Sequence, residues 1–434
     1  MEKINVFWFR RDLRLEDNKA LEAALNSGLP VLPVFIFDTN IIDELPGDDA
    51  RINFIHSALS QLDIELKRLG SSVYVLSGDP VEVWKNLIIS YNIQSVYINK
   101  DYEPYTIHRD NLVKALLEER GIKLLKFKDQ VIFEEREILK PDEKPYTVFT
   151  PYCKRWLQKF SQNQERSAGR KIPLQNFLGE YHHFPSIEKA GFRESTLKVR
   201  PYDLSVIREY HKYRDIPSID RTSYLSPHLR FGTVSIRKIV KIALEENITF
   251  LKELIWRDFF MQILFHFPQV VTDNFRPSYD GIQWRNDEKE FRRWCAGETG
   301  YPIVDAGMRQ LNETGFMHNR VRMITAGFLC KHLLINWRWG EAYYAEKLLD
   351  YELSSNNGNW QWAAGTGCDA AQYFRIFNPE TQQKKFDPEN EYIRKWVPLF
   401  DKSNYPKKIV DHDFARQRVL DTYKTGIKIS LKKS

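Results

Sequence analysis

Cysteine is scarce. The 434 residues hold four (Cys153, Cys295, Cys330 and Cys368), far apart and with no CxxC pair. A disulfide scaffold and a zinc knuckle are thereby excluded. No stretch of 18 apolar residues occurs, so no segment is expected to span a bilayer. The first apolar run, Ile4 to Phe9, is short and meets Arg10 and Arg11 at once, with no small-residue cleavage site. That argues against a secretory signal and for a soluble cytoplasmic protein. No GxGxxG follows the run, and no GxxxxGKS or GxxxxGKT occurs, which removes the fingerprints of a nicotinamide dehydrogenase and a P-loop NTPase.

What is present is aromatic and slightly basic. Lys and Arg number 64 against 58 Asp and Glu, a net charge of +6 that is compatible with a polyanionic partner. Aromatic residues make up 14% of the chain, and eight of its 11 Trp lie at or beyond Trp256. That density suits stacking surfaces for bases or a ring cofactor, and also a Trp-rich core.

Residues 1–130 alternate between short apolar runs and helical patterns. Strands are predicted at 4–9, 31–37, 72–76, 95–99 and 122–127, with helices at 17–25, 51–69, 80–91 and 107–120. Asp79 before Pro80 reads as a helix cap. The series predicts a parallel, doubly wound α/β domain with a ligand position at the carboxyl ends of its strands, near Asp38, Asn99, Lys100 and Glu103. Residues 131–200 read as an irregular interdomain connection with a short helix at 151–162 and a polar run from Gln162 to Lys171. The His182-His183 pair within it lacks other nearby ligands, so no metal site is expected. From 201 to 425 period-3.6 patterns dominate, at 234–245, 250–267, 289–296, 303–314, 319–333, 339–349 and 391–396, and predict an all-helical domain. The lysine-rich end reads as a terminal helix or arm.

Three segments concentrate chemistry. Thr222-Ser223-Tyr224-Leu225-Ser226-Pro227 sets hydroxyls before a helical stretch, a pattern that can hold phosphate. Glu253, Trp256 and Arg257 lie three or four residues apart and share a helix face. Asn356-Asn357-Gly358-Asn359-Trp360-Gln361-Trp362 places two indoles around an amide, an unusual opening for a core helix.

These segments, with FWFRRDLRLEDN at 7–18, TGYPIVDAGMRQLNETGFMHNRVRM at 299–323 and the continuation of the last to residue 379, resemble the photolyase/cryptochrome family. The sequence most resembles the family's class I enzymes, which repair cyclobutane pyrimidine dimers. It implies that the α/β domain precedes a helical domain holding FAD. It assigns the FAD phosphates and ribityl chain to Tyr210, Thr222, Ser223, Leu225 and Ser226. Arg257 and Asn319 fall to the cofactor pocket, Arg322 and Asp350 to an ion pair beside the flavin ring, and Asn356 to flavin N5. Trp360, Trp337 and Trp284 are implied as an electron relay running outward. Glu253 would bond the lesion, with Trp256, Met323 and Trp362 as lesion contacts and Arg320 at the DNA. The implied partner is UV-damaged DNA containing pyrimidine dimers, bound by a monomer that associates with the nucleoid. A second, antenna chromophore is also implied: methenyltetrahydrofolate, a deazaflavin or another flavin.

The chemistry is coherent. A cyclobutane dimer offers no acidic proton and no leaving group, so its splitting calls for one-electron cofactor chemistry. The lesion must also be flipped out of the duplex, at a few kcal/mol. Repair of (6–4) photoproducts implies histidines at the positions of Asn319 and Met323, and a cryptochrome-type photoreceptor needs no lesion pocket. Both are alternatives to dimer repair, as is a flavoprotein that binds without catalysis.

Overall fold

The computed structural model describes residues 2–163 and 173–433. Residues 164–171 of the polar run, with Gly169, lie outside the described residues. Two compact units are present. The first comprises the described residues of Met1–Ile138, Lys154–Tyr202 and Tyr224–Glu245, and the second those of Leu139–Cys153, Asp203–Ser223 and Glu246–Ser434. The stretch 131–200 is thus divided between the two units rather than forming a separate connection.

In the first unit, β1 (Lys3–Phe9), β2 (Val31–Asp38), β3 (Tyr74–Gly78), β4 (Asn92–Asn99) and β5 (Lys123–Phe127) form one parallel sheet in the order β3-β2-β1-β4-β5. The expected doubly wound α/β domain is therefore present. Strand alternation supplies both of its cores. Phe7, Phe9, Phe35 and Phe37 pack on one face with Leu21, Leu59 and Leu62. Val6, Trp8, Val34 and Ile36 pack on the other with Trp84, Leu87, Val113 and Leu117. Asp79 caps helix Pro80–Ser90 by accepting from the amides of Val81 and Glu82. β3 starts two residues later than expected, because Ser72 is engaged elsewhere: its Oγ accepts from the His182 amide at 2.7 Å. The next residue, Val73, donates its amide to Asp63 at 3.2 Å.

Helices Leu225–Phe231 and Ile236–Glu246 follow the helical pattern, yet all but the last residue of this pair belong to the first unit. Buried charge holds them there. Asp129 accepts from Arg14 and from Arg237, each at 2.7 Å, and Arg237 Nε reaches Asp17 at 2.8 Å. Arg230 pairs with Glu103 at 2.9 Å.

The second unit is helical. Its core gathers Trp294, Tyr301, Met308, Leu329, Trp337, Tyr344 and Trp360 around helices Pro302–Thr314, Asn319–Gly327, Trp337–Lys347 and Leu353–Ala364. One expectation is corrected. The pattern at 319–333 is not one α-helix but Asn319–Gly327 followed by a π-helical stretch, Phe328–His332, in which the Leu333 amide donates to the Phe328 carbonyl at 3.1 Å. The segment 356–362 lies inside a helix, Leu353–Ala364. Its Ser, Asn and Gly are poor helix formers, but Glu352 caps the start by accepting from the Ser354 and Ser355 amides, and packing does the rest. The chain closes on helix His412–Lys433. No helix among the described residues is long and apolar enough to cross a membrane.

The charge network of the first unit gives a stability prediction. Arg237→Met leaves Arg14 as the one guanidinium on Asp129 and leaves Asp17 with Lys19 and the Ser235 hydroxyl in place of its guanidinium partner. It is expected to lower unfolding free energy by about 2–3 kcal/mol, read by urea denaturation of the full protein. An unchanged midpoint would show that the network contributes nothing.

Candidate functional site

Helix Leu353–Ala364 lies against its neighbours at two glycines. A Cβ on Gly358 would stand 2.2 Å from the Phe260 ring, and one on Gly340 2.1 Å from Cη2 of Trp360. Only glycine permits such approach. Beside the helix is a cavity of about 110 Å³. Its walls include seven residues singled out from the sequence: Asn319, Arg322, Met323, Asp350, Asn356, Trp360 and Trp362. Tyr344, Glu352 and Ser355 also line it and were not anticipated.

The two asparagines part company here, since neighbouring residues on a helix point about 100° apart. Asn356 lines the cavity, and its Nδ2 donates to Glu341 Oε1 at 2.8 Å and to the Glu341 carbonyl at 3.1 Å. Its Oδ1 is therefore the atom offered as an acceptor. Asn357 is a packing residue: it donates to the Val270 carbonyl at 2.8 Å and accepts from Gln361 at 3.2 Å. Burial raises the Glu341 carboxyl pKa, and the bond from Asn356 pulls it back.

Arg322 meets Asp350 with both arms of its fork, at 3.1 and 2.9 Å, and its Nε donates to the Met317 carbonyl. That third bond fixes the guanidinium plane. His318 caps helix Asn319–Gly327 by accepting from the Arg320 amide. Burial drops its pKa to about 4, so it is neutral near pH 7 and unsuited to donate a proton to a lesion.

Glu253, Trp256 and Arg257 share helix Ile248–His266 but are absent from the walls of that cavity. Glu253 accepts from Arg214 Nη1 at 2.6 Å. Arg214 sits 4.0 Å from Asp215 and over the Tyr210 ring at 5.2 Å, and Asp215 binds Arg320 at 2.6 Å. The result is an alternating row, Glu253–Arg214–Asp215–Arg320. Burial raises the Glu253 pKa, and Arg214 partly offsets it. Arg320 also lies over Phe386 at 4.5 Å, so its charge is engaged within the protein. Trp256 stacks on Phe149 at 3.7 Å and 5°. An indole expected to present its faces to a lesion thus has one already covered.

Trp360 meets Tyr344 at 4.9 Å and Trp294 at 6.1 Å. Trp337 is buried and donates to Asn274 at 2.9 Å, and Trp284 stands edge-on to Tyr423 at 5.9 Å. Thr222 and Ser223 are half-buried in the second unit, and the Ser223 carbonyl accepts from the Asp203 amide. Leu225 (buried) and Ser226 (exposed) open helix Leu225–Phe231 of the first unit. In the first unit Asp38 is held by Tyr105 and Arg109, Asn99 by Asp12, and Lys100 by Glu134. His182 stacks on Tyr74 at 3.9 Å.

Glu341, Arg214, Asp215 and Phe149 escaped sequence reasoning. Arg214 follows Tyr210 by four residues, a spacing that could have flagged it. Glu341 has no local signal, being 15 residues from Asn356 on another helix.

Known proteins agree with this architecture. A model described as DNA photolyase matches residues 5–171, and one described as the FAD binding domain of DNA photolyase matches residues 250–404. A curated deoxyribodipyrimidine photo-lyase of Agrobacterium fabrum is 35% identical, over 96% of this chain and 97% of its own. A bacterial class III photolyase from Agrobacterium tumefaciens superposes with a TM-score of 0.85 at 33% identity, covering 99% of this chain and 98% of that one. An archaeal photolyase from Sulfolobus tokodaii, solved with two FAD molecules, gives 0.83 at 34%, covering 98% and 100%. The chain belongs to the DNA photolyase family, and its helical region is an FAD-binding domain. The class I expectation is corrected by the class III structure.

The close approach at Gly340 is testable. Gly340→Ala is expected to cost about 1–3 kcal/mol by overpacking and to change the near-UV circular dichroism. Gly327→Ala, whose Cβ would find nothing nearer than Phe377 at 3.7 Å, should leave that signal alone and hold or raise stability. Equal effects would mean that Trp360 repacks freely.

Proposed function

We propose that the protein is a light-driven lyase that splits cyclobutane pyrimidine dimers in DNA. The observation carrying this reading is the cavity on helix Leu353–Ala364, where a neutral amide, a forked Arg–Asp pair and two indoles converge with Met323. That donor set fits the polar edge and flat face of a flavin: Asn356 Oδ1 offers an acceptor, Arg322 a cation, Trp360 a ring. Bound reduced FAD would supply, on illumination, the single electron that opens the cyclobutane ring, and would take it back once the two pyrimidines have parted.

The chain's residues do the rest. Asn319, Arg322, Asp350 and Asn356 orient the ring, and Glu341 fixes which atom Asn356 offers. Tyr210, Thr222 and Ser223 are the second unit's candidates for the cofactor's phosphates and ribityl chain, with Arg257 beside them in role. Trp256 and Trp362 contact the flipped pyrimidines, a full base stack being worth about 1–3 kcal/mol. Met323 gives a soft apolar contact. Glu253 bonds a pyrimidine carbonyl. Its raised pKa favours the protonated, donating form once the lesion draws it from Arg214, and Arg320 is then the nearby cation for a DNA phosphate. Trp360, Trp337 and Trp284 form the relay that delivers electrons to oxidised FAD, separate from the repair step. A second chromophore, a folate, a deazaflavin or a flavin, is assigned to the first unit, at the carboxyl ends of β1 and β4. The Sulfolobus tokodaii relative with two FAD molecules supports a second chromophore. The working form is a monomer in the cytoplasm, at the nucleoid when bound to DNA.

The deciding assay offers reduced protein two substrates. Cyclobutane thymine dimers should be restored to thymines under near-UV or blue light and not in darkness, quantified by chromatography, with (6–4) adducts untouched. No light-dependent turnover with verified reduced FAD would sink the reading. Efficient (6–4) turnover would show that a pocket without a titrating histidine suffices.

Asn356→Ala should keep FAD bound yet shift its midpoint potentials, since a lost buried hydrogen bond costs about 1–3 kcal/mol. Asn357→Ala should lower stability and leave the potentials in place. Redox titration with FAD counted by absorbance separates them, and the reverse outcome would move the N5 role to Asn357.

A further inference from the structure

Lys331 is a buried amine with no anionic partner among the described residues. It is 2% exposed, within the π-helical stretch Phe328–His332, and among the described residues no carboxylate lies within ion-pair distance of it. Its Nζ donates to the carbonyl of Ala364 at 2.6 Å and stands 4.0 Å over the ring of Tyr423. Burial holds its pKa down to about 7. An apolar side chain of similar length would avoid this desolvation, so a lysine here asks for a reason.

The reason lies in what the same carbonyl receives. Ala364 is the last residue of helix Leu353–Ala364, and its oxygen also accepts from the Tyr423 hydroxyl at 2.8 Å. Two donors, an amine and a hydroxyl, therefore close the negative end of the helix that bears Asn356 and Trp360. Tyr423 belongs to the terminal helix His412–Lys433, and its ring stands nearly perpendicular to that of Trp284 at 5.9 Å. That helix grips the π-helical stretch twice more: Arg418 donates to the His332 carbonyl at 2.6 Å, and His412 Nδ1 lies 2.9 Å from His332 Nε2. A wide π-turn is rare and favours functional positions.

We propose that Lys331 and Tyr423 are positioning residues of the electron relay: by donating together to the Ala364 carbonyl they fix the helix that carries Trp360, and through the Tyr423 ring they set Trp284 against the same point. The inference rests on the reading of Trp360, Trp337 and Trp284 as that relay. Displacements of about 1 Å far from the chemistry can cost on the order of 10²-fold in rate, so a slack joint here should be felt in electron delivery before it is felt in folding.

The test compares Lys331→Met, Tyr423→Phe and Trp284→Phe as FAD-loaded full-length proteins, with FAD counted by absorbance. Light-driven reduction of oxidised FAD should slow by about tenfold or more in Lys331→Met and by several-fold in Tyr423→Phe. Amide hydrogen exchange across 358–365 should accelerate in both. Repair by Lys331→Met reduced chemically beforehand should stay within about twofold of the parent, a split that general damage would not produce. Photoreduction at the parent rate in both joint variants, with Trp284→Phe slowed, would overturn the proposal and leave the relay standing. An unslowed Trp284→Phe would remove the relay itself. Photoreduction and pre-reduced repair falling together would assign Lys331 to stability alone. If Lys331→Met does not fold, Tyr423→Phe, which loses one hydroxyl and keeps its ring, decides alone.

Discussion

The candidate site depends on the distance at which helix Leu353–Ala364 packs. Gly358 admits the Phe260 ring and Gly340 admits the Trp360 indole, at separations no other residue tolerates. Once the helix is that deep, Asn356 comes within reach of Glu341 on helix Trp337–Lys347, and Trp362 shares a cavity with Met323. A helix with three Asn, two Ser and a Gly in 12 residues has little propensity of its own. Packing and the Glu352 cap sustain it, so its geometry answers to its neighbours rather than to its own sequence.

Charge is used differently in the two units. In the first, Arg14, Asp129, Arg237 and Asp17 form a compact network that secures helices to the sheet domain. Every member has its counter-ion, as burial demands. In the second, Glu253, Arg214, Asp215 and Arg320 form an open row whose end members lie half-buried. Such a row can exchange partners: a ligand carbonyl that takes Glu253, or a phosphate that takes Arg320, leaves the inner pair intact. Lys331 stands outside both patterns, held by a carbonyl and an aromatic face.

Element types were legible in the sequence because their cause is local. The near-continuous apolar run from Ile4 to Phe9 gives a strand buried on both faces, and Asp79 before Pro80 gives a helix start, with no need of distant residues. The family motifs likewise marked Asn356, Arg322, Asp350 and Met323, which do meet at one cavity. The class within the family was misread, as the likeness to a class III structure shows. The π-turn at Phe328–His332 was invisible, since a single extra residue in a helical turn leaves the apolar pattern almost unchanged.

The sequence by itself determined which residues bear chemistry and the kinds of element they occupy. Tertiary structure alone decided their partners. Asn356 and Asn357 are equivalent as letters, and only the packing of two helices gives one to Glu341 and the cavity and the other to Val270. Trp256 reads as a free stacking platform until Phe149, 107 positions earlier in the chain, covers one face. A hydrogen bond or a ring stack is satisfied by whatever lies within a few ångströms, and proximity across such separations is fixed by the packed fold, which no local pattern records.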